Sequence, residues 1–286
     1  MPYIKVKEFD LKETLESGQF FRYTEHRRIY TMIVREKVFQ AEQDKDKLYY
    51  NGASKEFIEH FFALDHNIIN IHQEISKDEL MRQAISAHRG LRILRQDPYE
   101  CALSFLLSSC SNIPRITSLV NLLTEKYGDK IVKYGKVFNV IKKPLKFPSE
   151  TALRQLRTGF RAKYLFQSQK ELSSINNLRK YKYSESKKML TKINGIGEKI
   201  ADCILLFAFG HLNAFPIDTW IKKVVTHQYF KGEKTGSIEL KKFSEIYYGR
   251  YAGYAQQYLF TYSRKNWRNF GFKGKIKKQS NESQNN

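Results

Sequence analysis

Cysteine is scarce in this chain: Cys101, Cys110 and Cys203 are the only three in 286 residues. They are too few and too far apart for a disulfide framework or a CxxC-type metal site. The seven histidines form no HxxxH pair, so a catalytic zinc is not expected and no metal ligands are assigned. No run of about eighteen apolar residues is present, and the N-terminus lacks an apolar core of signal-peptide length. These absences predict a soluble intracellular protein with no membrane partner, cytoplasmic or nucleoid-associated if prokaryotic. Acidic residues are also few: 29 Asp+Glu stand against 50 Lys+Arg, a net charge of +21. Such a surface attracts polyanions, and nucleic acid is the first partner to consider; a lysine-rich but merely soluble surface is the plainer alternative. Charge of this kind supplies affinity and no sequence or lesion preference.

Residues 28–34, 38–41 and 47–50 are short, rich in β-branched and aromatic side chains, and separated by charged turns, which predicts an antiparallel sheet. From Ser54 the period changes. Phe57, Phe61, Phe62 and Leu64, then Ile75, Leu80, Met81 and Ile85, predict amphipathic helices that close the sheet. Pro98 opens a further helix carrying Ala102, Phe105, Leu106 and Ser109. From there to about residue 270 the pattern is mainly helical, giving an α+β chain. Residues 273–286 are lysine-rich and then Ser/Asn/Gln-rich, with little to bury, and predict a basic, polar, disordered tail.

The most informative stretch is 190–225. Gly195 and Gly197 lie between two helix-like segments and predict a tight hairpin with positive φ and close approach to another chain. A hairpin opening onto a helix N-terminus presents free N–H groups that bind phosphate. Asn194, Gly195, Ile196 and Gly197 are the expected contacts to a nucleic-acid backbone. Lys199 falls in the first turn of the second helix, Cys203 one turn later on the same face, and Asp218 follows Pro216 at the start of the next helix. Alone, these residues read as a phosphate-binding lysine, a small buried thiol and a helix cap. A lysine of ordinary pKa, about 10.4, is neutral only about one time in 2,500 at pH 7. A nucleophilic role would require the site to lower that value or remove the proton.

Ile196-Gly197-Glu198-Lys199-Ile200-Ala201-Asp202-Cys203 followed by Pro216-Ile217-Asp218 resembles the helix-hairpin-helix DNA glycosylase superfamily, in its 8-oxoguanine DNA glycosylase/lyase branch. The resemblance covers roughly residues 10–262. It includes Ser17-Gly18-Gln19-Phe20-Phe21-Arg22, Leu94-Arg95-Gln96-Asp97-Pro98, Ser108-Ser109 with Asn112-Ile113 and Arg115-Ile116-Thr117, Gly159-Phe160-Arg161-Ala162-Lys163-Tyr164, and Tyr251-Ala252-Gly253 through Phe260, in the family's order. It implies an N-terminal antiparallel sheet with helices over 1–94, a mainly α-helical helix-hairpin-helix catalytic region over 95–272, and the tail over 273–286. It also implies a monomer acting on damaged double-stranded DNA. The implied reaction is excision of 8-oxoguanine through a lysine Schiff base, then nicking of the abasic site by β-elimination. A glycosylase of this fold with another lesion, or a noncatalytic DNA-binding module, are the alternatives.

Carried over by resemblance, Lys199 attacks C1′, and Asp218 caps its helix while stabilising positive charge on the sugar. Cys203 and Phe260 sandwich the extruded base, Gln256 reads its edge, and the Gly18 carbonyl accepts the N7 hydrogen that guanine lacks. On the residues alone, Gln256 is a surface glutamine, Phe260 core and Gly18 a turn glycine. Flipping the nucleotide out of the stack leaves a gap. Phe160 and Arg161 match the wedge positions that fill it, or else read as a buried aromatic and a phosphate-binding arginine. Arg115 matches a contact to the opposite base, with Cys110 and Asn112 in the same loop. Cys110 stands where an asparagine that contacts the opposite cytosine is common; cysteine is shorter and a poor hydrogen-bond partner, which predicts looser opposite-base choice. Trp220 stands where a phosphate-contacting histidine is common. The cysteine-free C-terminal region excludes the four-cysteine iron–sulfur site of some relatives. No cofactor is required, and a structural cation held by carbonyls of residues 192–197 is a further implication.

Overall fold

A computed structural model describes residues 1–266, so the expected tail over 273–286 lies outside the described residues. The chain is α+β. Strands β1 (Tyr3–Lys5), β2 (Tyr23–His26), β3 (Ile29–Val34), β4 (Lys37–Asp44) and β5 (Lys47–Asn51) form one antiparallel sheet in the order β1-β5-β4-β3-β2. The three expected strands are β3, β4 and β5, and β3 buries alternate residues, Tyr30, Met32 and Val34. Its hairpin turns place Arg27, Arg28, Arg35 and Lys45 at positive φ, where Asn or Gly is usual. The charged turns expected between the strands are thus formed without Asn or Gly at these positions.

Helices α1 (Leu11–Leu15) and α2 (Lys55–Phe61) cover the sheet, with Phe39, Ile58, Phe61 and Phe62 in one apolar cluster. The next two, α3 (Ile68–Ile75) and α4 (Glu79–Ala87), correct the expectation that they close the sheet too. Ile75, Leu80, Met81 and Ile85 belong instead to the second, larger apolar cluster, formed by the helical region. That region continues with α5 (Pro98–Leu106) and α6 (Ile113–Tyr127), the small hairpin β6 (Asp129–Lys133) and β7 (Lys136–Val140), and then α7 (Glu150–Gln155), α8 (Arg161–Gln167) and α9 (Gln169–Ser173). After a 3-10 turn come α10 (Tyr183–Leu190), α11 (Glu198–Phe209), α12 (Thr219–Tyr229), α13 (Ser237–Tyr247) and α14 (Ala252–Asn266). The β6–β7 hairpin interrupts what reads as mainly helical sequence; the alternation either side of Tyr134-Gly135 was its signal.

Every residue of α5 is buried, and the helix lies against α11, with Phe105 stacked on Phe207 at 5.4 Å between centroids. Asp97 caps α5 through a bond from Glu100 N, and Pro98 occupies its first turn as expected. Leu106 ends the helix, so Ser108 and Ser109 stand on the loop beyond it. The turn at Gly18 is fixed by its neighbour Gln19, which bonds the backbone at Thr14, Arg92 and Leu94 and receives Gln96 Nε2 at 2.7 Å. Gln96 N in turn donates to Phe207 O at 2.8 Å. One hydrogen-bonded chain thus runs from Gly18 to α11. No helix among the described residues is long and apolar enough to cross a membrane.

Candidate active site

The hairpin between α10 and α11 forms where expected, but its glycines differ. Gly195 has φ +87°, and a Cβ there would lie 2.5 Å from the Tyr164 ring, so this turn needs glycine for both reasons. Gly197 is extended, with φ −88°, and does not use the positive φ expected of it. It caps α11, and nothing lies within 4 Å of an added Cβ. Its value is the open approach to the helix N-terminus.

Lys199 sits in the first turn of α11 and its Nζ donates to Ser108 Oγ at 3.1 Å. Ser108 Oγ itself donates to Phe105 O at 2.6 Å, so the hydroxyl hydrogen is committed and a lone pair faces the lysine. The ammonium also lies 5.5 Å from the centre of the Phe105 ring. Cys203, one turn on, is buried; burial pushes its thiol up to about 12, against the opposing pull of Lys199. It is a neutral thiol at pH 7. Asp218 caps α12, its Oδ1 accepting from Ile221 N at 2.8 Å. Burial raises its carboxyl above the usual range, opposed by the Ile221 N–H and by the charge of Lys199. Lys199, Cys203 and Asp218 thus act on one another electrostatically, although they come from two helices.

Gly18 has φ +88°, and a Cβ there would lie 2.6 Å from Ile113 Cδ1 and 3.3 Å from Phe260 Cε1. The Gly18 turn and α14 therefore meet at Phe260. Gln256, one turn before Phe260, is buried, and its Oε1 has no hydrogen-bond partner. A buried acceptor left open costs about 1–3 kcal/mol, which a ligand donor would recover. Gly253, near the start of α14, packs against the end of α11 and the loop after it: an added Cβ would lie 2.3 Å from Leu206 Cδ1 and 3.0 Å from the carbonyls of Leu212 and Ala214. Cys203 precedes Leu206 by three residues on α11, and Gln256 follows Gly253 by three on α14.

The loop after α5 carries the remaining expected residues. Cys110 is exposed and holds φ +48°, and Phe160 is 45% exposed with its edge against Tyr164. An open groove of about 570 Å³ runs between Ser109, Cys110, Phe160 and Tyr164 on one side and the hairpin, Asn194 to Gly197 included, on the other. One assignment differs from the expectation. Arg161 does not project as a wedge: it is 3% exposed and its guanidinium donates to the carbonyls of Ser109, Cys110 and Thr158, stapling the loop. Asn112 Oδ1 caps α6, accepting from Arg115 N at 2.9 Å. Arg115 is exposed and donates to Arg157 O at 3.2 Å. Trp220 contributes its backbone N–H to the Asp218 carboxylate.

The model of the 8-oxoguanine DNA glycosylase N-terminal domain matches residues 3–102. The solved structure of MBOgg1 in complex with a low affinity DNA ligand is 34% identical, with a TM-score of 0.87, over 92% of this chain and 95% of that one. The 8-oxoguanine glycosylase/lyase of Clostridium acetobutylicum, solved with double-stranded DNA containing cytosine opposite 8-oxoguanine, is 30% identical, with a TM-score of 0.85, over 93% and 98%. The chain belongs to the 8-oxoguanine DNA glycosylase/lyase family. A further relative of this glycosylase, the probable N-glycosylase/DNA lyase of Methanothermobacter thermautotrophicus, is 27% identical over 236 residues, 74% of this chain and 75% of that protein.

Sequence reading of the glycosylase missed two residues at the site. Ser108 was within reach of it, as part of the Ser108-Ser109 block, but its contact with Lys199 spans 91 positions. Arg264 stands one turn after Phe260 on α14, a spacing that carried its own signal.

Proposed function

We infer that this glycosylase, a base-excising enzyme with abasic-site lyase activity, binds damaged duplex DNA and removes 8-oxoguanine through Lys199. The observation that carries the reading is the placement of Lys199: its Nζ is held by Ser108 at the N-terminal turn of α11, under the charge of Asp218 and one turn from Cys203. The neutral amine attacks C1′ of the extruded nucleotide, the bond from C1′ to the base nitrogen breaks, and the base leaves with a proton. Asp218, an acceptor fixed by its cap, stabilises the positive charge that develops on the sugar. Ring opening gives a protonated Schiff base. Loss of a C2′ proton then expels the 3′ phosphate by β-elimination. Cys203, Phe260, Gln256 and Gly18 form the base pocket, and Phe160 with the Cys110 loop meets the gap left in the duplex.

The hairpin and the N-terminus of α11 hold the backbone phosphates. The carbonyls of Ile193 and Gly197 already accept backbone bonds from Ile196 and Ala201. A cation on the carbonyls of residues 192–197 therefore has a partly engaged donor set, and the chemistry needs none.

The test is single-turnover cleavage of duplexes carrying one 8-oxoguanine opposite C, A, G or T, with and without borohydride, for the wild type and Lys199→Gln. Lesion-dependent cleavage and a covalent adduct are expected, and both vanish in Lys199→Gln. The exposed Cys110 thiol, a weak hydrogen-bond partner, should give rates opposite the four bases within about tenfold of one another. Strong preference for cytosine would refute the Cys110 reading alone. Bound DNA with neither cleavage nor adduct would refute the enzymatic one.

A further inference from the structure

Gln256, Phe260 and Arg264 follow one another at intervals of four along one face of α14, and only the first two have a part in the pocket described above. Arg264 is partly buried, and its guanidinium folds back along the helix to lie 5.4 Å from the centre of the Phe260 ring. One terminal nitrogen, Nη2, donates to Glu16 O at 3.0 Å, in the turn that leads to Gly18. The other, Nη1, lies 3.2 Å from where a Cβ on Gly18 would stand. Three groups therefore converge on the missing side chain of Gly18: Ile113, the edge of Phe260 and a guanidinium N–H donor. A cation drawn into protein in this way loses hydration, and burial holds the Arg264 pKa below the ordinary arginine value. An anchor for the Glu16 carbonyl needs one edge of the guanidinium; the other edge is spare, beside the base seat.

On the reading of the site given above, the Gly18 carbonyl accepts the N7 hydrogen of the lesion. An 8-oxopurine presents beside that N–H donor a second feature that guanine lacks, the C8 carbonyl acceptor. A carbonyl from Gly18 next to an N–H from Arg264 is the complementary acceptor and donor pair. We propose that Arg264 is a specificity-determining residue of the base pocket, donating a hydrogen bond from Nη1 to the C8 carbonyl oxygen of the extruded base. Guanine in the same seat would turn C8–H toward the guanidinium and its N7 lone pair toward the Gly18 carbonyl, leaving both protein groups unpaired. Rejection of an analogue that leaves buried polar groups unpaired is a strong form of discrimination.

Equilibrium binding tests this in a Lys199→Gln background, which cannot cleave, with duplexes differing only in 8-oxoguanine or guanine opposite cytosine. Arg264→Leu, which keeps an apolar stem under Phe260, should lower the ratio of the two affinities about tenfold, as expected for loss of a charge-assisted hydrogen bond. Arg264→Lys should restore part of it, since lysine keeps the charge without the fork. With Lys199 intact, cleavage of a preformed abasic site, which has no base to read, should stay within about twofold of wild type. An unchanged affinity ratio in Arg264→Leu overturns the proposal. So does an equal loss of abasic-site cleavage, because Asp218 is within electrostatic reach of Arg264 and the effect would then run through Asp218 or the fold. If the parent itself binds 8-oxoguanine no better than guanine, the lesion assignment fails before Arg264 is touched, and the proposal with it.

Discussion

Lys199 is useful as a nucleophile only where its amine points, and Ser108 decides that. The serine's hydrogen is committed to Phe105 O, so its oxygen can only accept from the lysine. Ser108→Ala should slow single-turnover excision by about tenfold, the worth of one hydrogen bond to a charged group, while leaving unfolding nearly unchanged. Equal rates for Ser108→Ala and wild type would show that the contact does not orient the amine. Asp218 combines two tasks, capping α12 and facing Lys199. Asparagine caps as well as aspartate, so Asp218→Asn should keep its melting temperature and lose on the order of 10²-fold in excision. A destabilised Asp218→Asn protein would count against this dual role.

At the scale of elements, the two hairpin glycines and the loop after α5 respond differently to substitution. Gly195→Ala meets both a left-handed φ and the Tyr164 ring, and should cost about 1–3 kcal/mol in denaturant unfolding. Gly197→Ala meets neither; its smaller stability cost should be accompanied by weaker DNA binding, because the Cβ enters the open approach to the N-terminus of α11. Arg161→Met would leave the Ser109 and Cys110 carbonyls without their donor and free the loop that presents Cys110. A loss of about 1–3 kcal/mol in stability is expected, with a fall in binding of lesion duplex. Unchanged stability in Arg161→Met would return Arg161 to the wedge role its position in the sequence suggested.

Across the whole molecule, α14 is fastened by histidines that stay neutral. His66 Nδ1 lies 2.9 Å from Tyr254 Oη, and His72 Nε2 lies 2.8 Å from Tyr258 Oη. Burial, the largest cause for each, lowers both histidines from 6.5 to about 4. The unfolded chain binds these protons near pH 6.5 and the folded chain only near pH 4, so the unfolded state holds more protons in between. Stability is then full above that window and declines as pH falls from 6.5 toward 4. Calorimetric unfolding at intervals from pH 7.5 to 4 should show the melting temperature falling across this range, with a shallower slope in His72→Gln. A flat profile would mean that these histidines are protonated in the folded protein. The same scale joins the sheet to the helices: Arg22 and Glu100 pair at 2.5 Å where both are buried, and Arg22 also donates to Asn139 O in β7.

Much of this was legible in the sequence because the information is local. Alternation over 29–34, the Asp97-Pro98 helix start, the Gly195 turn, the i,i+4 spacing of Lys199 with Cys203 and of Gln256 with Phe260, and the Asp218 cap each depend on a few neighbouring residues. The sequence by itself determined most of the element types, with the β6–β7 hairpin the exception, and the local positions of Lys199 and Asp218 at the starts of their helices. Tertiary structure decided what depends on distant partners. Packing sent α3 and α4 to the helical core, gave Asn112 to a cap and turned Arg161 inward to unpaired carbonyls. It also brought Ser108 to Lys199 and Arg264 to Gly18, across 91 and 246 positions of chain. A side chain's residue type fixes what it can donate or accept; only the fold fixes which group receives it.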